Sequence, residues 1–177
     1  QAGTAGTEVF NYDLLGNRVS TSDTRSGGTN CTYTLNNPNT NNEYATICGT
    51  AVQYNAAGSL SKDKDGYSYD YDYENKISNI YIDIDFDGVY TNTVDVLKAS
   101  FEYDALGRRI EKVDSITAKT SRYYYDDQRI AMQVETVGES QTERLFVYGN
   151  YIDEVLMMIV PGATSTTDYY YAHDHLY

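Results

Sequence analysis

Apolar and polar residues alternate along most of the chain. Over residues 67–73, Tyr67, Tyr69, Tyr71 and Tyr73 interleave with Ser68, Asp70 and Asp72, and over 82–87, Ile82, Ile84 and Phe86 interleave with Asp83, Asp85 and Asp87. A period of two places one set on each face of a β-strand. It predicts a tyrosine face opposite a Ser/Asp face in the first run. In the second it predicts Ile82, Ile84 and Phe86 against the sheet and the aspartates in solvent. No window of helical length carries a 3.6-residue period. The pattern therefore predicts an all-β chain of roughly fourteen short strands, joined mostly as successive antiparallel hairpins in an open, curved repeat sheet.

The strands are punctuated by a recurring unit: "YDLLGNRV" at 12–19, "YNAAGSL" at 54–60, "YDYENKI" at 71–77 and "YDALGRRI" at 103–110, with a worn copy, "YDDQRI", at 125–130. Tyr12, Tyr54, Tyr71 and Tyr103 end the incoming strands. Asp13, Asp72 and Asp104 follow as turn caps, because an Asp side chain bonds the backbone two residues on. Gly16, Gly58 and Gly107 supply the left-handed residue that closes a bulged hairpin, with Asn75 substituting in the third copy. Further turns are predicted at Asp87-Gly88 (a two-residue hairpin), at 137–140, at Gly149-Asn150 (another two-residue hairpin) and after Pro161.

Composition changes this picture in one respect. The 177 residues include 20 Tyr, 4 Phe and no Trp. A tyrosine-built core is thin, since each hydroxyl must keep water or a partner. The net charge of −13 and the lack of any basic run argue against nucleic acid and anionic membrane as partners. "VLMMIV" at 155–160 is too short to cross a bilayer as a helix, so membrane insertion is not expected. The sequence opens at Gln1 with neither Met nor an apolar leader, which reads as a processed product or a fragment. Cys31 and Cys48 flank two short strands around an Asn- and Pro-rich turn, and a Lys-poor, Thr- and Asn-rich chain suits an oxidising, extracellular setting. A Cys31–Cys48 disulfide is expected.

The units resemble the YD repeats of Rhs proteins and teneurins. "YDALGRRIEKV" looks like a standard unit, "NEYATICGTAVQYNAAGSLSKD" like the run leading into a repeat, and "LFVYGNYIDEVLMM" with "YYYAHDHLY" like the approach to the Rhs-associated core. The resemblance implies long β-hairpin sheets that coil into hollow shells, sometimes around a toxin, and a bacterial source. It implies one YD-repeat domain over 1–177, belonging to a longer chain or an assembly. The chain is too short to close a shell and stops before the core and self-cleavage motif.

Candidate chemistry is sparse. Asp83, Asp85, Asp87 and Gly88 echo the D-x-D-x-D-G start of a calcium loop, but Val94 occupies the twelfth position, where a bidentate Glu belongs. Alternation accounts for the aspartates without metal, so no metal or cofactor is expected and these three stand as the calcium candidates. His173 and His175 share a strand face but lack a third ligand. Asn30 and Thr32 form an N-x-T sequon, which has no meaning in a bacterial chain. No phosphate loop, nucleophile elbow or Cys–His couple is present, so an enzyme is not expected. The expected function is a non-enzymatic extracellular or cell-surface structural protein that self-assembles into a fibre or surface layer. The alternatives are a fragment of a toxin-enclosing shell or a glycan-binding adhesion module. The expected partners are further copies, pairing head to tail between "DYYYAHDHL" and "EVFNYD", with glycans as the alternative. Neither segment carries a Pro, Lys or bulge to blunt its edge.

Overall fold

A computed structural model describes residues 6–36, 43–151 and 154–172. Among them are sixteen strands and no helix. The first eight are β1 (Glu8–Tyr12), β2 (Arg18–Asp23), β3 (Cys31–Leu35), β4 (Tyr44–Ile47), β5 (Thr50–Ala51), β6 (Gln53–Tyr54), β7 (Leu60–Lys62) and β8 (Ser68–Tyr71). The others are β9 (Ile77–Ile82), β10 (Val96–Tyr103), β11 (Arg109–Asp114), β12 (Lys119–Asp126), β13 (Arg129–Val137), β14 (Ser140–Tyr148), β15 (Val155–Pro161) and β16 (Thr166–Tyr170). Strand order follows chain order in both open antiparallel sheets, β1 to β5 in one and β6 to β16 in the other. The chain divides into two compact units, residues 1–70 with 81–95, and 71–80 with 96–177.

Five of the hairpins share one capped turn. Asp13 Oδ1 accepts the N–H groups of Leu15 and Asn17 at 2.9 and 2.8 Å. Asn55, Asp63, Asp72 and Asp104 accept from the residues two and four further on in the same way. Each cap also receives a backbone bond from the residue three further on, and that residue has positive φ: Gly16, Gly58, Gly66, Asn75 and Gly107. A side chain that satisfies two turn N–H groups removes the cost of leaving them bare beside a strand end. The Asp63 turn, within "KDKDGY", was not foreseen, because Lys62 stands where the other copies carry Tyr. Its signal was the D-x-x-G spacing itself.

A register shift falls immediately before each of Tyr12, Tyr54, Tyr103, Tyr125 and Tyr148. In the second unit the tyrosines that follow these bulges join one turn to the next. Lys76 lies over the Tyr103 ring at 5.6 Å, and the Tyr103 hydroxyl donates to the Ile77 carbonyl at 3.0 Å. Arg108 lies over Tyr125 at 4.7 Å, and the Tyr125 hydroxyl donates to Arg109 O at 2.8 Å. Arg129 lies over Tyr148 at 5.3 Å, and the Tyr148 hydroxyl donates to Ile130 O at 3.1 Å. Each tyrosine is thus clasped by a cation and by the carbonyl of the very next residue, both supplied by the preceding turn. The first unit has a variant in which Arg18 stacks on Tyr33 at 5.7 Å and its N–H donates to the Tyr44 hydroxyl at 2.9 Å.

The core is thin. Tyr81, 1 % exposed, is the only large side chain that is fully buried among the described residues, and it joins Cys31, Val52 and Val134. Ser68, Ser121, Thr21, Asp83 and Asp95 are equally enclosed. The disulfide between Cys31 and Cys48 ties β3 to the turn after β4, across the pairs Tyr33↔Ile47 and Thr34↔Thr46.

Four local expectations are corrected. No hairpin forms at Asp87-Gly88: residues 83–95 form a loop without strand, because the Asp95 carboxylate draws in the N–H groups of Ile84 and Thr91. The expected faces hold only in part: Asp85 and Asp87 are in solvent, but Asp83 is buried and Ile84 and Phe86 are exposed. Gly149-Asn150 is not a two-residue turn, since the Gly149 N–H bonds to Glu154 O and closes a longer loop. "YDDQRI" closes instead as a two-residue turn at 127–128, with Asp127 at positive φ.

Replacing Tyr103 with Phe removes one clasping hydroxyl and keeps the ring. The expected loss is about 0.5–1.5 kcal/mol in urea unfolding. Tyr73→Phe, whose side chain is exposed, should leave the midpoint unchanged.

Candidate functional site

Two features of this fold can meet a partner: the outermost strands and an acidic loop. β1 pairs with β2, from Glu8↔Asp23 to Tyr12↔Arg18, and β16 pairs with β15, from Met157↔Tyr170 to Pro161↔Thr166. Each lies at the end of its sheet, and both are exposed along their whole length. Just past β16 the Tyr171 N–H bonds to Leu156 O. Backbone groups alternate in direction along a strand, so the N–H and C=O of Tyr170 point away from β15. Its side chain and those of Tyr169 and Tyr171 are largely in solvent. The β1 edge is less bare than its sequence suggests. A register shift lies between Asn11 and Tyr12, and the Arg18 guanidinium covers the Phe10 ring at 4.6 Å. His173 and His175 lie outside the described residues.

The loop at 83–95 collects carboxylates. Oxygens of Asp83, Asp85 and Asp87 lie within 4.8 Å of one another. Asp83 is buried; its Oδ2 accepts the Gly88 N–H at 3.2 Å, while its Oδ1 is buried without a hydrogen-bond partner. Asp87 Oδ1 accepts the Val89 N–H at 2.8 Å. Gly88 has φ +80°, and a Cβ there would meet nothing within 4 Å, so backbone conformation alone calls for glycine. Asp95 is saturated differently, with Oδ1 bonded by Ile84 N–H at 2.8 Å and Oδ2 by Thr91 N–H at 2.7 Å. It staples the loop and has little capacity left for a ligand. Beneath the loop, Tyr81 packs on Tyr90 with ring centroids 5.3 Å apart and donates to Asp70 at 3.1 Å. Burial, then the Asp70, Asp83 and Asp95 charges, push its phenol well above the usual range. Partial burial and repulsion from Asp87, Asp95 and Asp83 raise the Asp85 carboxyl.

Of the residues that the sequence singles out, Asp13, Gly16, Gly58, Asp72, Asn75, Asp104 and Gly107 occupy turn positions, and Tyr12, Tyr54, Tyr71 and Tyr103 end the incoming strands. The Asn30 side chain accepts the Asp23 N–H at 3.0 Å and so serves the chain itself. The cations that clasp the tyrosines were not anticipated; they lie five residues after Tyr71 and Tyr103 but four after Tyr125, and Tyr12 and Tyr54 have Asn17 and Ser59 at the fifth place.

No family model matches the chain, and no curated protein matches it. Among solved structures it is similar to a chain of the Photorhabdus luminescens Tc holotoxin pore, at 14% identity and a TM-score of 0.56, over 86% of this chain and 7% of that one. The likeness shows the fold: an open, antiparallel all-β sheet, consistent with the Rhs-like architecture that the motifs imply. This chain spans only a small fraction of that protein's length.

Acid should unfold the protein through its caps and ion pairs. Arg25 holds the Asp23 carboxyl down to about 2 by hydrogen bonds, while the Asn17 amide lowers Asp13. Asp104 and Asp114 are also lowered, and Lys119 and Arg144 outweigh burial at Glu135. A lowered carboxyl contributes stability above its unfolded value that is lost as pH falls through its folded value. Asp85, raised, works in the opposite sense but is one group against five. Denaturant midpoints should hold down to about pH 4 and then fall steadily towards pH 2. A flat profile over that window would contradict the assignment.

Proposed function

We propose that this chain is a non-enzymatic structural segment of an extracellular YD-type β-sheet wall, one that grows by adding strands at its outermost edges. The observation that carries the reading is the outward row of backbone groups on β16, centred on Tyr170, on a strand paired on one side only among the described residues. Such a row is a template for another strand. The exposed rings of Tyr169 and Tyr171 on one face would set the register of the incoming strand. The incoming strand comes from further copies of the chain, whose unlike edges, β16 and β1, meet head to tail. Unlike edges give open-ended growth, because nothing closes the contact. The likeness to a toxin-complex component favours a second reading, in which the added strand is flanking polypeptide and the wall is part of a larger shell. The disulfide suits an oxidising compartment and supports an extracellular place for either form.

Assembly and salt are linked. With a charge of −13 per copy, added salt should favour association by screening repulsion. Light scattering of the parent should report particles that grow between roughly 0.1 and 1 M NaCl. Tyr170→Pro deletes an outward donor without touching the β15 ladder, and should leave small particles at every salt concentration with an unchanged far-UV spectrum. Equal sizes for parent and variant, or monomers for both, would show that copies do not add to this edge.

A further inference from the structure

The carboxylates at 83–87 are not explained by folding alone. Asp83 is more than nine-tenths buried, yet one of its oxygens has no hydrogen-bond partner. A buried acceptor without a partner destabilises a fold, and a charged one does so more strongly. Its neighbours Asp85 and Asp87 are held close by the loop rather than dispersed into water, although all three repel. Exposed acidic residues on a strand would splay apart. These are gathered because Gly88 turns the chain sharply and Asp95 pins both Ile84 and Thr91.

We propose that this loop is a calcium-binding site, with Asp83, Asp85 and Asp87 supplying carboxylate oxygens to one ion. The oxygen separations do not exceed 4.8 Å. That is about twice the calcium–oxygen distance of roughly 2.4 Å, so one ion can bridge any two of them, and a closure of a few tenths of an ångström brings the third into contact. The free Asp83 oxygen gains the partner that the protein does not supply. The carboxylates alternate along the chain and the sixth position is a glycine, as in loops that wrap oxygens around calcium. Calcium suits the site better than magnesium, because a set of carboxylates on an irregular loop tolerates its longer, more variable contacts, whereas magnesium demands a near-ideal octahedron. The twelfth position, Val94, gives no bidentate carboxylate, and Asp95 beside it is spent on backbone N–H groups. Binding is therefore weak, on the order of 10⁻⁴–10⁻³ M, the range of extracellular calcium modules. Occupancy would neutralise the repulsion in the loop and fix it over Tyr81 and Tyr90.

The test is isothermal titration of calcium chloride into chelator-stripped protein. One saturable site in that range is expected, with a rise in melting temperature on adding calcium. Asp85→Asn changes an exposed side chain and leaves the fold intact; it should weaken binding by roughly tenfold or more, as should Asp83→Asn. Glu139→Gln, an equal loss of charge on a turn that supplies none of these oxygens, should bind as the parent does. The proposal is overturned by the lack of saturable heat up to about 10 mM, by Asp85→Asn binding like the parent, or by equal affinity for magnesium chloride. The last result would mean that the loop merely attracts divalent cations.

Discussion

The clasp on the repeat tyrosine is the contact on which the second unit depends. A β-hairpin on its own is marginal in water. Here each hairpin delivers a cation and an adjacent carbonyl to the tyrosine of the next: Lys76 and Ile77 to Tyr103, Arg108 and Arg109 to Tyr125, Arg129 and Ile130 to Tyr148. The ring is large enough to cover the cation's stem, and its hydroxyl is satisfied at the far end. A Phe would lose the hydrogen bond and a Leu would lose the cation as well. This is why a chain with so little Phe and no Trp can still hold a sheet together. Its tyrosines serve less as core filler than as fasteners between neighbouring turns.

Stability built this way is spread along the chain. Few side chains among the described residues are enclosed, and several of those are Ser, Thr or Asp. Ladder bonds, turn caps and clasps each join a strand to its neighbour in sequence, so energy accumulates strand by strand, as in other repeat architectures. The disulfide adds a covalent link in the first unit, at β3 and the turn after β4. A sheet of this kind has no interior that limits its length, and among the described residues β16 is paired on one side only, with the Tyr170 backbone groups facing outward. The proposed wall would use that geometry to add strands at its edges.

Strands and turns were legible because they depend on local chemistry. Alternation marks a strand wherever neighbours pair, and Asp with Gly or Asn three residues later marks the capped turn. The Asp63 turn obeys the same chemistry and was hidden only by Lys62. The loop at 83–95 was misread for a physical reason. Alternation assumes a ladder, but the deciding group, Asp95, lies eleven residues from the N–H of Ile84 that it accepts. A long-range capture of this kind cancels the strand and turns Asp83 inward, and no pattern within the window signals it. The clasps were likewise hidden, because each pairs residues from separate repeats whose adjacency follows only from the sheet.

The clasp makes one quantitative demand: its cation and its ring must be worth more together than apart. A double-mutant cycle on Arg108→Met and Tyr125→Leu, read by urea unfolding, measures that directly. Met keeps an apolar stem and Leu keeps an apolar body, so the cycle isolates the cation–ring contact from simple burial. A coupling energy of about 0.5–1 kcal/mol is expected for a contact of this exposure. Additive losses, with no coupling, would contradict the account and leave the sheet to its backbone ladder alone.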